Sequence, residues 1–337
     1  MSDGARVAVL GAGYVGLPTA AVLASLGHTV VCAEQDDSRL DALLSGRVPI
    51  VEDGLADLLA AVVAQGKLRF VRHASEAART AQFVFLCVAT PERDDGSTDL
   101  SYVEGVAGEI AGSLAPGAIV VNKSTVPVGT ALEVERITGA TVVSNPEFLR
   151  EGSAVRDSLH PDRVVVGAGD RRAARRVGEL FSGTGAPLIV TDTVTAETIK
   201  YASNAFLAMK LSFVNGLAAL CDPLGADVRD VVLGLGYDRR IGFDFLRPGP
   251  GWGGSCLPKD TAALLRIGED VGYDFALLRA AIAANDDARE RVVRKVQEIS
   301  GGDISGRTVG VWGLTFKAGT DDRRSSPAIA VARRLAA

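Results

Sequence analysis

The sequence predicts an α/β protein: an N-terminal doubly wound parallel sheet, a central domain built on one long helix, and the opening of a second α/β domain at the C-terminal end. Three observations predict this. Short, largely apolar, valine-rich runs alternate with Ala- and Leu-rich stretches through residues 1–195, the pattern of a parallel sheet with helices on both faces. A long and largely apolar helical stretch follows. Near the end, one strand-like run and one helix opening recur.

The first strand is RVAVL, followed by a glycine turn (GAGYVG) and a helical run ending at Gly27; TVVCA is the second strand. Val7 to Ala33 holds no Asp, Glu, Lys or Arg, yet the order strand, turn, helix, strand argues for a βαβ unit rather than a membrane span. FVFLCVA, AIVVNKS and ATVVSN continue as buried strands. From TAETIK the chain reads as one helix to about Asp222, where Pro223 and Gly225 stop it, and helical segments continue to about Ser300. An apolar helix of this length packs against something, for which a second subunit is one candidate. From Arg307, TVGVWGLTF reads as a strand, KAGTDDRRSS as a loop and PAIAVARRLAA as a helix; one strand and one helix cannot bury a core, so this end reads as the beginning of a further, incomplete domain. The expected divisions are 1–195, 196–300 and 301–337.

Composition sets limits. The 337 residues suffice for two domains, and 47% apolar with 23% charged residues is ordinary for a globular chain. A net charge of −5 without a basic block excludes a phosphate-backbone partner, so no nucleic acid is expected. The N-terminus lacks the features of a signal peptide. Cys32, Cys87, Cys221 and Cys256 are scattered without CxxC, so neither a zinc site nor a disulfide framework is expected; reduced thiols in a cytoplasm are the simplest reading, with no membrane and no metal.

Gly11, Gly13 and Gly16 form G-x-G-x-x-G directly after a strand and at the opening of a helix. In such a Rossmann-like turn the first glycine makes the bend, the second admits a pyrophosphate, and the third lets helix and strand pack closely. Glu34 ends the second strand, where a carboxylate binds ribose hydroxyls and repels the extra phosphate of NADP. The expected cofactor is NAD.

The second chemical signal is GPGWGGSCLPKD. Cys256 taken alone reads first as a small core residue, the usual fate of a cysteine. Its neighbours favour reactivity: Gly251, Gly253 and Gly254 suit close backbone approach to a ligand, and Lys259 and Asp260 share its side of a helix that begins there. A cation favours the thiolate, and a carboxylate can handle a proton or orient water. A nicotinamide enzyme with a nucleophilic cysteine implies aldehyde oxidation through a thioester. Lys200 and Asn204, four apart on the long helix, present one face able to hold a developing alkoxide; Lys200 also reads as a solvated residue near a helix start. Glu147 and Glu151 follow a strand, either as functional acids or as residues favoured by a helix dipole. His28, His73 and His160 have no triad-like context and read as structural or surface residues.

Together, GAGYVGLPTA, EQDDSRL, VPIVEDGL, KSTVPVGT, SNPEFLREGSAVRDSLHPDRVVVG, KYASNAFLAMKLSFVN, DRRIGFDFL, GPGWGGSCLPKD and GLTFKAGTDDRRSSPA resemble the UDP-glucose/GDP-mannose dehydrogenase family. The resemblance implies two Rossmann-like domains joined by a long helix that forms a homodimer. It also implies oxidation of a nucleotide sugar's primary alcohol to a carboxylate in two hydride transfers to NAD. Carried over by position, Cys256 is the nucleophile, Lys200 and Asn204 stabilise oxyanions, Asp260 with Thr125 positions water, and Glu147 is the general base. The cofactor would meet Gly11, Gly13, Tyr14, Val15, Gly16, Glu34, Arg39, Cys87, Thr90, Pro91, Ser124, Thr125, Glu151, Lys259 and Arg324. Substrate would meet Glu147, Phe148, Leu149, Lys200, Asn204, Phe245, Leu246, Gly253, Cys256 and Lys317, with Arg240 reaching in from a neighbouring subunit.

Within that family GPGWGG resembles the UDP-glucose branch more than the GDP-mannose branch, so a UDP-sugar is expected, with GDP-mannose or another nucleotide sugar as the alternative. Ala89 replaces a common glycine and Ser325 a usual acid, and family members continue beyond the point where this chain stops. Two competing readings stay open: a two-electron β-hydroxyacid-type dehydrogenase, which needs no cysteine, and a non-catalytic NAD-binding protein if the short C-terminus is natural.

Overall fold

The computed structural model describes residues 4–93 and 95–337. The chain forms two compact units, one ending at Lys200 and the other beginning at Tyr201.

In the first unit the described residues form eight strands in one sheet: β1 (Arg6–Leu10), β2 (Thr29–Ala33), β3 (Leu68–Val71), β4 (Phe83–Leu86), β5 (Ile119–Asn122), β6 (Val142–Ser144), β7 (Val164–Gly167) and β8 (Leu188–Thr191). Their order is β3-β2-β1-β4-β5-β6-β7-β8. The connecting helices are α1 (Gly16–Ser25), α2 (Asp37–Leu44), α3 (Leu55–Ala64), α4 (Ala74–Ala78), α5 (Ser101–Ala111), α6 (Thr130–Thr138), α7 (Ala154–Leu159) and α8 (Arg171–Glu179). Alternating residues explain why the central strands carry no polar face. Val7 and Val9 of β1 join a core with Leu17, Leu23 and Phe85, whereas Ala8 and Leu10 join a second core with Val103, Ile110 and Val134. A sheet covered on both faces needs apolar residues at every position of its strands.

The strand order reverses between β1 and β4, and in open α/β sheets ligands bind outside the carboxyl ends of strands at such a switch point. The sheet is mostly parallel, as expected, with one antiparallel junction. Ser144 of β6 pairs antiparallel with Gly167 of β7, while β7 and β8 are parallel to each other. Strand direction depends on how the connecting segment returns, and no local pattern in VVVG records it.

The first unit ends within α9 (Thr193–Leu224), and the second contains the rest of that helix with α10 (Val228–Gly236), α11 (Leu257–Asp270), α12 (Ala276–Ile299) and α13 (Pro327–Ala336). Helix α9 passes through Pro223 before ending at Leu224, and Gly225 then takes φ of +68°. It is long and apolar enough to cross a membrane by length and composition alone.

One expectation needs correction near the C-terminal end. Residues 308–316, read as a strand, form none, and Trp312 is fully exposed. β-propensity describes fit to a pleated, half-buried surface, and this segment has no ladder neighbour to supply one. The helix expected after it does form, as α13, capped by the Ser326 side chain on Ile329 N–H.

Candidate active site

The glycine turn is built by close contacts. Gly11 takes φ of +99°, and a Cβ there would lie 2.6 Å from the Cys87 carbonyl oxygen at the end of β4. A Cβ on Gly16 would lie 1.9 Å from the Gly11 carbonyl oxygen, so the turn folds only with glycine at both positions. A Cβ on Gly13 would meet nothing within 4 Å, leaving that position free for a ligand's approach.

Glu34, 7% exposed, accepts from Ala12 N–H (3.0 Å) and Asp36 N–H (2.9 Å), which fixes its carboxylate beside the turn. A carboxylate has about four lone-pair sites, so two bonds leave acceptor capacity for ribose hydroxyls. The turn, the open Gly13 and the fixed Glu34 fit an NAD molecule. Ser124 donates to the Val88 carbonyl (2.7 Å), tying the 87–91 turn to the loop after β5. Cys87 is buried, and burial raises its thiol to about 12, so it packs rather than reacts. Tyr14, Val15, Thr90 and Thr125 are partly exposed around these turns, while Pro91 and Arg39 are exposed.

Beyond β6 the structure brings two expected residues together. Lys200 donates from Nζ to Glu147 Oε1 at 2.6 Å, and the side chains are 3% and 5% exposed. Lys200 is therefore not a solvated helix-start residue. Burial alone would raise the Glu147 carboxyl. The Lys200 charge and hydrogen bond, the Leu149 N–H and the Lys123 charge outweigh it and hold the group below the ordinary carboxylate range. The Lys200 ammonium also stands 5.6 Å from the centre of the Phe148 ring, which stacks against the Arg163 guanidinium. Leu149 N–H donates to Glu147 Oε2 at 2.6 Å.

Sequence reasoning missed several partners here. Lys123 is a buried ammonium that donates to Asn145 Oδ1 (3.1 Å), and Asn145 in turn donates to the Val165 carbonyl. Burial lowers the Lys123 pKa, opposed by neighbouring Cys87 and Glu147. Glu52 accepts from Gly152 N–H (2.8 Å) and Ala154 N–H (2.6 Å), holding the turn that carries Glu151. His28 bridges Ala5 N–H and the Leu180 carbonyl, the structural role expected of it.

In the second unit the cysteine stands at a helix start. Cys256 is the N-cap residue of α11, is partly exposed, and lies 3.5 Å from the Ser255 hydroxyl. Backbone N–H groups at such a terminus favour negative charge. Asp260, fully buried one turn on, accepts from Asn204 Nδ2 (2.5 Å) and Lys259 Nζ (2.7 Å). Asn204, Asp260 and Lys259 thus form one hydrogen-bonded chain, and its carboxylate is compensated by a cation and an amide.

The loop leading to Cys256 is pinned from two helices. Asn285 of α12 accepts from Trp252 N–H (2.7 Å) and donates to its carbonyl (3.1 Å), and Arg289 reaches the same carbonyl at 3.0 Å. The Trp252 indole N–H donates to Ser212 of α9 at 2.9 Å, and Asn215 accepts from Gly249 N–H. A Cβ on Gly253 would lie 2.1 Å from the Ser325 carbonyl oxygen, so this loop packs directly on the 322–326 turn. Leu246 is buried, and Phe245 takes φ of +60°. Other expected contacts stand at the surface: Arg240 pairs with Asp238, Arg324 pairs with Asp322, and Lys317 is exposed beside its neighbour Phe316.

A glycine turn at a sheet switch point beside a fixed, buried glutamate marks an NAD-dependent dehydrogenase. Comparison with known proteins gives the family. The profile described as the UDP-glucose/GDP-mannose dehydrogenase family, NAD binding domain, matches residues 5–184, and that family's central domain matches residues 194–287. A UDP-glucose 6-dehydrogenase of Rhizobium meliloti (strain 1021) is 48% identical over 98% of this chain and 78% of its own. UDP-glucose 6-dehydrogenase TuaD of Bacillus subtilis (strain 168) is 44% identical over 96% of this chain and 72% of its own. The solved UDP-glucose dehydrogenase from the hyperthermophilic archaeon Pyrobaculum islandicum superposes with a TM-score of 0.95 at 42% identity, covering 99% of this chain and 80% of that one. The chain belongs to the UDP-glucose/GDP-mannose dehydrogenase family.

Proposed function

We propose that this protein oxidises UDP-glucose at its primary alcohol to UDP-glucuronate, using two molecules of NAD. The observation that carries the reading is Cys256 at the N-cap of α11, partly exposed and one turn before the Asn204–Asp260–Lys259 chain. Relatives named for UDP-glucose, at 44–48% identity across nearly the whole chain, favour that sugar over GDP-mannose. A two-electron β-hydroxyacid oxidation would leave such a cysteine without a task.

Bound NAD supplies the oxidant, accepting one hydride at each of the two oxidations. After the first, the Cys256 thiolate adds to the aldehyde carbon and forms a carbon–sulfur bond, while the carbonyl oxygen becomes the alkoxide of a thiohemiacetal. The Lys200 ammonium and the Asn204 amide stabilise that alkoxide. The second oxidation removes two electrons from the same carbon and leaves a thioester. Asp260 and Thr125 orient the water that attacks it, and Glu147 takes the water's proton. The carbon–sulfur bond then breaks, returning the thiolate and releasing the carboxylate. The ionised state of Glu147 beside Lys200 suits a proton acceptor. Glu151, Lys259 and Arg324 complete the proposed cofactor contacts. Phe148, Leu149, Phe245, Leu246, Gly253, Lys317 and a neighbouring subunit's Arg240 complete those to the sugar nucleotide.

The proposed assembly is a homodimer through α9. Phe206, Phe213 and Leu220 lie at seven-residue spacing on that helix and are 60%, 59% and 55% exposed, so one helix face presents apolar surface. No cysteine among the described residues is in a disulfide, which favours a reducing, cytoplasmic setting. The test of the reaction is the ratio of NADH formed to UDP-glucose consumed. Two per sugar supports it, and one per sugar rejects the four-electron scheme.

A further inference from the structure

Glu197 lies one turn before Lys200 on α9 and is 4% exposed. Residues three apart on a helix are neighbours on its surface. Its Oε2 accepts from Gly129 N–H at 2.7 Å, and its Oε1 accepts from the Ser144 hydroxyl at 2.9 Å. Gly129 is the N-cap of α6, in a left-handed conformation and without a side chain to cap the helix. Glu197 therefore supplies from another helix the capping oxygen that α6 lacks, where a carboxylate also complements the helix dipole.

These bonds set two parallel links between one strand end and one helix. Ser144 meets Glu197, and three residues later Glu147 meets Lys200. The Gly129 bond adds the loop that begins with Ser124 and Thr125. A small cavity lies among the same elements, lined by Asn122, Ser124, Thr125, Ser144, Glu197 and Lys200. Asn122, 2% exposed, finds no protein partner for either polar atom of its side chain. Several polar side chains reach this cavity, which is small enough for about one water molecule.

We propose that Glu197 is a positioning residue for the acid-forming step: it fixes the Thr125 loop and the Glu147 strand end at a set distance from Lys200. This rests on the reaction proposed above. Burial raises the Glu197 carboxyl more than the donors from Gly129, Ser144 and Ala131 lower it. An acceptor oxygen matters more here than a charge, so glutamine, which keeps one, replaces it better than alanine.

The test uses the full-length protein with UDP-glucose and NAD, measuring kcat, both KM values and, by mass spectrometry after acid quench, the acyl adduct on Cys256. Glu197→Ala is expected to lower kcat by about tenfold or more with both KM values within about threefold, and to raise the adduct level. Glu197→Gln is expected to restore most of the turnover. Ser144→Ala, which removes one link and leaves the Gly129 bond, is expected to raise the adduct to a lesser degree. Parent-like turnover in Glu197→Ala overturns the proposal, as does a loss of kcat that only tracks a loss of folded protein by circular dichroism. Should Glu197→Ala not fold, a parent-like adduct level in Ser144→Ala overturns it. Absence of any adduct in the parent and in every variant would instead overturn the underlying reaction.

Discussion

Lys200 and Glu147 form a buried ion pair across 53 residues of sequence, Nζ to Oε1 at 2.6 Å. Removing one partner strands the other, a loss of about 3–5 kcal/mol for buried pairs. Glu147→Ala and Lys200→Ala are expected to lower stability on that scale in urea unfolding. Each should also lower acid formation more than NAD binding.

The same pair predicts a pH dependence. The folded Glu147 carboxyl lies below its unfolded value, so the pair's contribution is fully present above the unfolded pKa of about 4.3 and is lost as pH falls through the folded value. Glu197 runs the other way. Its folded value is raised, so its contribution is present at low pH and lost as pH rises through that value. Urea midpoints measured against pH should therefore fall less steeply in acid for Glu147→Gln than for the parent.

Two glycines of one turn should respond differently to alanine. Gly16→Ala places a Cβ against the Gly11 carbonyl oxygen and is expected to unfold or strongly destabilise the first unit. Gly13→Ala meets open space and should leave thermal stability close to the parent's. Its methyl occupies the ligand's approach, and calorimetry should show NAD affinity reduced on the order of tenfold.

Asn285→Ala removes its two bonds to the Trp252 backbone, leaving the N–H unpaired while Arg289 still reaches the carbonyl. Leaving a buried N–H unpaired costs about 1–3 kcal/mol. The expected outcome is a raised KM for UDP-glucose with NAD affinity unchanged, read from steady-state kinetics and calorimetry.

Phe213→Asp places a charge on the exposed apolar face of α9. Light scattering after size exclusion is expected to show a dimer for the parent and a monomer for the variant. An unchanged dimer would place the interface elsewhere.

Much of this was legible locally. The valine-rich runs and glycine turn mark β1, α1 and β2, because a doubly covered sheet leaves no polar face and a tight turn needs glycine. The Leu-Pro-Lys-Asp run marks the start of α11, where proline suits the first turn. Short strands such as LRFV, VVVG and LIVT escaped, since four residues carry little periodicity. Partners distant in sequence left no trace at all. Glu197 looks like any polar helix residue until Gly129 and Ser144 stand opposite it, and Asn285 until Trp252 does. TVGVWGLTF shows the converse: strand propensity without a neighbouring strand yields no strand.

The central claim is that the Cys256 sulfur carries the sugar between two oxidations. Mass spectrometry of the full-length protein, acid-quenched during turnover with UDP-glucose and NAD, tests it most directly. The account predicts an acyl adduct on the peptide containing Cys256, and in Cys256→Ala no adduct, no acid and intact NAD binding. Acid formed at the parental rate by Cys256→Ala would contradict it.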